Sequence, residues 1–274
     1  SEQFGASRWI NLGVFQLQPS EILKITLIII LARNLTHWQA EWTALRLIST
    51  LLIITIPFIL VFIQPDLGSA IVIGVIGMVM LMFSAVPIRW WIIMAVLSLL
   101  LVPIGYFNLQ PYQQDRIITF INPTHDIRGV GYNVQQAKIA IGSGGLFGQG
   151  LGQGSQSQLN FLPVAHTDFI FAGLAEATGL LGSLTLLVLY FFMIFRIVRT
   201  AELAKDSFGR FICLGIGTMF GFQIFVNIGM NLALLPVTGI TLPLISYGGT
   251  SMIISLASIG LIISIYRRHK KISF

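Results

Sequence analysis

Charged side chains are scarce in this chain: Asp, Glu, Lys and Arg together make up 9% of the 274 residues. A soluble domain carries about 25% charged residues, so this sequence has too few of them to cover a water-facing surface. Hydrophobic residues account for 55% of the chain. The composition excludes an ordinary soluble protein and predicts an all-α, polytopic helical membrane protein.

Cysteine is almost absent as well. The single cysteine, Cys213, excludes a disulfide within the chain and a cysteine-rich metal site. The formal net charge of +6 is compatible with nucleic-acid binding, but the Lys and Arg residues lie mostly between apolar runs and near the C-terminus. That distribution is typical of membrane topology, so we expect membrane lipid and no nucleic acid as a partner.

About seven apolar runs are long enough, or nearly so, to cross a bilayer, which takes about 20 residues per helix. We interpret residues 1–274 as a single integral membrane domain built from these runs. The first run is short and carries Glu21 and Lys24, and the last is interrupted by Pro243 and by residues 246–249. The predicted spans are residues 20–35, 45–63, 67–86, 90–107, 168–195, 211–232 and 240–266.

The basic residues predict the orientation. If the N-terminus is outside, eleven of the sixteen Lys and Arg residues fall on the inner side. The excess of Lys and Arg in inner segments then places the C-terminus in the cytoplasm.

Residues 108–167 form a long segment between spans, predicted to be a large extracytoplasmic loop. Loops of this length are usually functional or disordered. Residues 112–116 and Asn122-Pro123 are typical of a turn. Residues 132–141 are weakly amphipathic and predict a helix at the membrane surface.

Glycine recurs through residues 142–154, and two interpretations are open. The segment is flexible or closely packed, with glycine used for its small size and backbone freedom. Alternatively, its N–H groups bind an anionic lipid head group together with Lys138 or Arg116. No strand–turn–helix pattern surrounds the glycines, so a dinucleotide site is not supported.

Six of the ten acidic residues fall on or near the predicted outer side. Asp168 opens the fifth span, where a carboxylate is expensive to desolvate and is therefore a functional candidate. The alternative is that Asp168 only caps that helix, and Asp66 has the same alternative at the third span. Glu21 and Lys24 can pair across one helical turn. Glu176, deeper in the fifth span, is expected to pair with a neighbouring polar side chain.

Metal-ligand spacing is missing from the sequence. His166 and His125 are the outer histidines, and neither belongs to a recognisable ligand pattern. We predict no dedicated metal site.

Several motifs occur in consistent order along most of the chain, and together they resemble the SEDS family (shape, elongation, division and sporulation) of cell-wall glycosyltransferases. Residues 156–163 and 227–230 are closer to its elongation branch than to its division branch. The motifs are Arg8-Trp9, Gln18-Pro-Ser-Glu21-Ile-Leu-Lys24, Gln64-Pro-Asp-Leu-Gly68, Lys138-Ile-Ala-Ile-Gly-Ser-Gly-Gly145, Gln156-Ser-Gln-Leu-Asn-Phe-Leu-Pro163, His166-Thr-Asp-Phe-Ile-Phe171, Asn227-Ile-Gly-Met230 and Leu242-Pro-Leu-Ile-Ser-Tyr-Gly-Gly249.

The resemblance implies a function. Members polymerise lipid II, a disaccharide-pentapeptide on undecaprenyl pyrophosphate, into glycan strands at the periplasmic face of the bacterial inner membrane. They work beside a class B penicillin-binding protein. By motif, Asp168 matches the acid regarded as catalytic in the family. The residues assigned to substrate binding are Glu21, Lys24, Asp66, Arg116, Lys138 and His166.

The chain also departs from the family pattern. Members have ten spans, so the first three would be missing here. The family's glutamate before His-Thr-Asp is replaced by Val164, and a further acid found in many members is replaced by Ala177. Two rival functions follow from these features: a flippase or transporter of the lipid-linked precursor, or an inactive membrane scaffold for the penicillin-binding protein.

The mechanism implied by the resemblance is a single displacement. A buried carboxylate with a raised pKa suits a general base, and Asp168 is expected to take the proton of the attacking sugar hydroxyl. Positive charge is required at the departing pyrophosphate. Lys24, Arg116 and Lys138 are candidates to supply it, and a divalent cation such as Mg²⁺ or Mn²⁺ is an alternative source.

Overall fold

The structure is a computed structural model that describes residues 9–11, 16–37, 42–107, 111–121, 129–150, 152–154, 156 and 166–269. It is almost entirely helical, with one short antiparallel hairpin of β1 (Ile10–Asn11) and β2 (Gln16–Leu17). The helices are α1 (Pro19–His37), α2 (Ala44–Ile63), α3 (Leu67–Met82), α4 (Ile88–Phe107), α5 (Pro111–Ile121), α6 (Val130–Ser143), α7 (Ile170–Leu203), α8 (Ser207–Asn231) and α9 (Gly249–His269).

Helix α8 lies at the centre of the bundle and packs against α1, α3 and α7. Its most apolar stretch is 56% buried, whereas those of α2, α7 and α9 are 22% buried. The core is formed by aliphatic side chains of the packed helices, including Ile28 and Leu31 of α1, Ile76 of α3, and Ile216 and Phe220 of α8. The outward faces of α2 and α7 carry exposed Ile, Leu and Phe side chains, as expected for helices that contact lipid.

The chain is a multi-pass helical membrane protein, as the composition predicted. Among the described residues, α2, α7, α8 and α9 are long and apolar enough to cross a membrane, and α3 is a shorter apolar helix. Helix α1 corresponds to the first predicted span but also carries Glu21, Lys24 and Arg33. Each of the seven predicted runs therefore has a helix as its counterpart.

The end of the fifth predicted span was wrong, since α7 continues to Leu203, and so was the start of the seventh. Its helix begins at Gly249 rather than at residue 240, and the preceding segment is irregular, with left-handed backbone at Leu244 (φ 65°). Pro243 has no N–H to continue a helix, and its carbonyl oxygen accepts a hydrogen bond of 2.7 Å from the Tyr190 hydroxyl of α7. This bond ties the irregular segment to the bundle.

The long segment of residues 108–167 contains two helices within its described part. Residues 112–116, predicted as a turn, belong to α5, which starts at Pro111, the helix position that proline favours. The predicted helix at 132–141 is confirmed as α6. Asn122-Pro123, His125, residues 157–163 and Val164 lie outside the described residues.

Candidate active site

Asp168 lies in the turn of residues 166–169 that leads into α7, and its main chain is held by two asparagines of α8. The Nδ2 atoms of Asn227 and Asn231 donate to the Asp168 carbonyl oxygen at 3.1 and 3.0 Å. Both asparagines are fully buried. They lie four residues apart and therefore project from the same face of the helix. This pair fixes the position from which the Asp168 side chain extends.

The rest of the turn is fixed from the segment that precedes α9. The Ser246 hydroxyl donates to the Thr167 carbonyl oxygen at 2.7 Å, and the Tyr247 N–H donates to the His166 carbonyl oxygen at 2.9 Å. Residues 166, 167 and 168 therefore each have their carbonyl oxygen bound. Since the bonds come from α8 and from the irregular segment after it, the turn is positioned by the interior of the fold.

The capping role considered for Asp168 is wrong, because a different residue caps α7. The helix N-cap is Phe169, and the N–H of Ala172 in the first turn donates to Oδ1 of Asn231 at 3.1 Å. The Asp168 carboxylate instead accepts a hydrogen bond from the Thr167 side chain. Asp168 is thus left with a carboxylate that the helix does not use.

Burial raises the pKa of the Asp168 carboxyl above its usual value of 3.8. The residue as a whole is half-buried, and desolvation of its carboxyl is the largest influence, because a low-dielectric environment disfavours the charged form. The Thr167 hydrogen bond and the positive charge of Arg116 act in the opposite direction, and the negative charge of Asp66 adds to the rise. A raised pKa is what a general base working near neutral pH requires.

Asp66 is the N-cap of α3, as the alternative proposed for it predicted. Its Oδ1 accepts the N–H of Ser69 at 3.1 Å. Its Oδ2 accepts from Gln18 Nε2 at 3.2 Å and from the Ser20 hydroxyl at 3.3 Å. The carboxylate therefore joins the start of α3 to the start of α1, and it still acts electrostatically on Asp168.

Glu21 and Lys24 form the predicted ion pair within α1. Lys24 Nζ lies 2.6 Å from Glu21 Oε1, and the two residues are 1% and 5% exposed. Opening such a buried pair leaves an uncompensated charge, at a cost of about 3–5 kcal/mol. In this structure the Lys24 charge is neutralised by Glu21 rather than presented to a cleft.

Arg116 and Lys138, both predicted to bind substrate, line one cleft of about 500 Å³. We call this the cationic cleft. Arg116 lies on α5 and the exposed Lys138 on α6, and Leu235-Pro236-Val237 also lines the cleft. Two positive charges beside apolar walls suit an anionic group attached to a lipid.

His166, the last of the predicted substrate-binding residues, lines a different cleft of about 680 Å³ together with Ile170, Ile245, Ser246, Tyr247, Gly248, Gly249 and Met252. We call this the neutral cleft, because none of its described lining residues is Asp, Glu, Lys or Arg. The turn that holds Asp168 thus borders the neutral cleft through His166, while its carboxylate interacts electrostatically with Arg116 of the cationic cleft.

The glycine-rich segment packs closely into a break in α7, which supports the first of its two interpretations. Helix α7 is interrupted at Gly179 (φ 68°). The N–H groups of Leu180 and Leu181 donate to the carbonyl oxygens of Gly145 and Leu146, at 2.9 and 3.2 Å. In the other direction, the N–H groups of Gln149 and Gly150 donate to the carbonyl oxygens of Glu176 and Ala177 in α7, at 2.9 and 3.0 Å. The Gln149 and Gly150 N–H groups are therefore occupied by α7 and are not available to bind a phosphate.

Glu176 supports the same junction. It is fully buried in α7, and its Oε1 accepts the N–H of Gln156 at 2.8 Å. The carbonyl oxygen of Glu176 is the acceptor for Gln149. Glu176 was expected to pair with a neighbouring polar side chain, and the partner that the structure gives its Oε1 is a backbone N–H.

Sequence reasoning did not identify Asn231 or the wall formed by residues 235–237. Asn227 was named as part of a motif, and its side chain binds the Asp168 and Ile240 carbonyl oxygens. The spacing of Asn227 and Asn231 by four residues on an apolar helix is the signal that would have paired them. Within the described ranges, no three His, Cys, Asp or Glu side chains lie close enough together to hold a metal ion.

These features define a class: a multi-pass membrane protein with a desolvated acid at the end of its helices and a cleft suited to a lipid-linked anion. The family model described as cell cycle protein, for FtsW, RodA and SpoVE, matches residues 1–271. The chain belongs to this family.

Relatives of the chain carry enzyme names. It is 42% identical over 270 residues to the peptidoglycan glycosyltransferase MrdB of Escherichia coli (strain K12), a match that covers 98% of this chain and 73% of the relative. It is 39% identical over 273 residues to the probable peptidoglycan glycosyltransferase FtsW of Geobacter metallireducens, covering 97% and 71%. Stage V sporulation protein E of Bacillus subtilis is 37% identical over 268 residues, covering 96% and 72%.

Solved structures share the fold. A chain of a peptidoglycan synthase complex that coordinates polymerization and crosslinking superposes with a TM-score of 0.81 at 32% identity, covering 99% of this chain and 76% of that one. The crystal structure of the rod shape determining protein RodA of Thermus thermophilus gives a TM-score of 0.69 at 30% identity, covering 99% and 72%.

Proposed function

We propose that this protein is a peptidoglycan glycosyltransferase that polymerises lipid II into glycan strands during cell elongation, with Asp168 as its general base. The observation that carries the proposal is the geometry of Asp168. Its main chain is fixed by two buried asparagines, its carboxylate is not used to cap α7, and burial raises its pKa. The names of relatives in the same family support the activity.

In this reaction the 4-hydroxyl of the acceptor sugar attacks the anomeric carbon of the donor. The O–H proton passes to the Asp168 carboxylate, a C–O bond forms, and the bond from the anomeric carbon to the pyrophosphate oxygen breaks. A single displacement of this kind inverts the anomeric centre and forms no covalent intermediate on the protein. A carboxylate of raised pKa is a stronger base than an ordinary aspartate, which favours the proton transfer.

The departing lipid pyrophosphate takes both electrons of the broken bond, so positive charge must meet it. Arg116 and Lys138 of the cationic cleft are the residues placed to do this. A divalent cation such as Mg²⁺ or Mn²⁺ would serve the same purpose. Asp66 orders the start of α1 against α3 through its bonds to Gln18 and Ser20, and Glu21 and Lys24 neutralise each other within α1.

The location follows from the substrate. Residues 1–274 act as a single membrane domain in the bacterial inner membrane, with the C-terminus in the cytoplasm. Residues 108–167 and the ends of α7 and α9 that flank Asp168 then face the periplasm, where the sugar of lipid II is available. A class B penicillin-binding protein is the expected partner, since the glycan must be crosslinked. The resemblance to a chain of a peptidoglycan synthase complex supports such an assembly.

Two other functions make different predictions. A flippase would move lipid II across the membrane without joining sugars, and an inactive scaffold would do neither. Asp168 favours polymerisation over the scaffold, because a fixed, desolvated base on which the Arg116 charge acts has no evident use in a scaffold. The grouping of Asp168 with Asp66 and Arg116 at one end of the bundle favours surface chemistry over a path across it.

The test is polymerisation by the purified protein in liposomes with lipid II, with and without a class B penicillin-binding protein. We expect glycan chains from the wild type and a loss of at least about 100-fold with Asp168→Asn. Glu202→Gln is the matched control, because Glu202 is an exposed acid in an ion pair with Arg199. Translocated lipid II without chains would establish a flippase, and wild-type turnover by Asp168→Asn would remove Asp168 from the role of base.

A further inference from the structure

The neutral cleft has no part in the proposed chemistry so far, although it borders the same turn as Asp168. His166 contributes to its lining, and Ser246, also in its lining, binds the carbonyl oxygen of Thr167. It shares no lining residue with the cationic cleft. A transferase joins two substrates at one base, so a second cleft beside the Asp168 turn is a candidate for part of the second substrate.

Tyr247 is the most prominent side chain of the neutral cleft. It is 81% exposed, yet its backbone is held by the hydrogen bond from its N–H to the His166 carbonyl oxygen. Its ring therefore stands at the cleft from a fixed attachment point. A tyrosine offers an apolar face and a polar hydroxyl at the same position.

The two glycines that follow Tyr247 are not explained by the fold. Neither Gly248 nor Gly249 has the left-handed backbone that favours glycine. A Cβ at Gly248 would lie 3.6 Å from the Cβ of Ser251, an ordinary contact, and a Cβ at Gly249 would meet no atom within 4 Å. Glycine is also used where a ligand must approach the backbone closely. That reason remains for these two positions, since both line the cleft.

We infer that the neutral cleft is a saccharide subsite of the glycosyltransferase, with Tyr247 as the residue on which a sugar ring stacks. This inference rests on the proposed function and extends it. The C–H face of a pyranose packs on the phenol ring, while His166 and the Tyr247 hydroxyl are placed to bond sugar hydroxyls. The cleft presents no charged side chain, which suits uncharged sugar rings, and the pyrophosphate is left to Arg116 and Lys138. The glycine pair lets the sugar lie against the main chain.

The test compares three variants in the lipid II polymerisation assay. A soluble glycan oligomer of the same disaccharide, without lipid or pyrophosphate, serves as a competing ligand. With Tyr247→Ala we expect its inhibition constant to rise about 3–10-fold, the size of effect that loss of an aromatic contact produces. Tyr247→Phe keeps the ring and should stay within about twofold of the wild type. Gly249→Val places a side chain in open space of the cleft and should weaken inhibition at least as much as Tyr247→Ala.

Gly260→Val on the same helix is the matched control, because a Cβ there also meets nothing within 4 Å and Gly260 does not line the cleft. Unchanged inhibition in both Tyr247→Ala and Gly249→Val would overturn the inference while leaving polymerisation intact. The cleft would instead bind the isoprenoid if these two variants left glycan inhibition unaltered but changed the Michaelis constant for lipid II by an amount that depends on the length of its prenyl chain. Absence of any polymer from the wild type would fail the proposed function itself.

Discussion

The Asn231 side chain bonds to Asp168, in the turn before α7, and to Ala172, in the first turn of α7. Its Nδ2 donates to the Asp168 carbonyl oxygen at 3.0 Å, and its Oδ1 accepts the N–H of Ala172 at 3.1 Å. A third hydrogen bond of 2.7 Å, from Nδ2 to the Asn227 carbonyl oxygen, fixes the amide on α8. One buried side chain thus sets the distance between the central helix and the turn that carries the base.

Replacement of Asn231 by Ala should lower activity through the position of Asp168. The Ala172 N–H then keeps only its hydrogen bond to the Phe169 carbonyl oxygen, and the Asp168 carbonyl oxygen loses one of its two asparagine donors. Each lost hydrogen bond contributes about 0.5–1.5 kcal/mol. We expect kcat to fall about 10–100-fold, because a small displacement of a base is expensive, with the Michaelis constant for lipid II within about threefold. The measurement is steady-state polymerisation together with the melting temperature.

Asn34→Ala provides the comparison for this variant. Asn34 is also a helical asparagine, but its side-chain oxygen has no hydrogen-bond partner among the described atoms. An equal loss of kcat in both variants would mean that Asn231 acts only through general stability.

The pH dependence of activity should reveal the charge balance around Asp168. The base works in its ionised form, so activity falls as pH drops through the pKa of Asp168. Because burial raises this pKa above its usual value of 3.8, we expect activity to fall at a pH higher than 3.8. The Arg116 charge holds the pKa down. Arg116→Gln should therefore move the acid limb of kcat/KM to higher pH. Arg199→Gln, which removes an exposed arginine paired with Glu202, should leave the limb in place, and a shift toward lower pH in Arg116→Gln would contradict the assignment.

Lys138 tests the cationic cleft without disturbing the core. It is exposed on α6 and lines the cleft, so Lys138→Gln should leave the melting temperature unchanged. We expect its Michaelis constant for lipid II to rise about 5–20-fold and to depend less on salt than that of the wild type, because surface charge interactions are screened. Lys205→Gln removes an exposed lysine after α7 that lines none of the clefts. If both lysine variants behave alike, the cleft does not bind the pyrophosphate.

Much of this architecture follows from local sequence. Apolar length predicted the helices, and the spacing of Glu21 and Lys24 predicted their ion pair, because both depend on neighbouring residues. The start of α9 at Gly249 was missed, since an apolar run continues through residues 240–245 although Pro243 prevents a helix there. The bonds from Asn227, Asn231 and Ser246 to the Asp168 turn join residues far apart in the chain, so spacing alone could not reveal them. The role of Asp168 came from its motif, and its local position had favoured a helix cap.

The insertion of the glycine segment into α7 was likewise beyond sequence reasoning, which could only state two alternatives. The structure makes it testable at Gly148, whose φ is 80° and where a Cβ would lie 2.2 Å from the Ala177 carbonyl oxygen. That backbone atom cannot move without disrupting the break in α7. Gly148→Ala should therefore destabilise the protein by at least about 2 kcal/mol, since strain at a special backbone position and overpacking act together.

Gly142→Ala is the control for Gly148→Ala and should have the opposite sign. Gly142 lies in α6, and a Cβ there meets nothing within 4 Å. Alanine in a helix is favoured over glycine by about 0.5–1 kcal/mol, so this variant should keep or slightly raise the melting temperature measured in detergent. If Gly148→Ala melted at the wild-type temperature, the segment would not be packed into α7 as described. The Gln149 and Gly150 N–H groups, which now donate to α7, would then be available to bind an anionic head group.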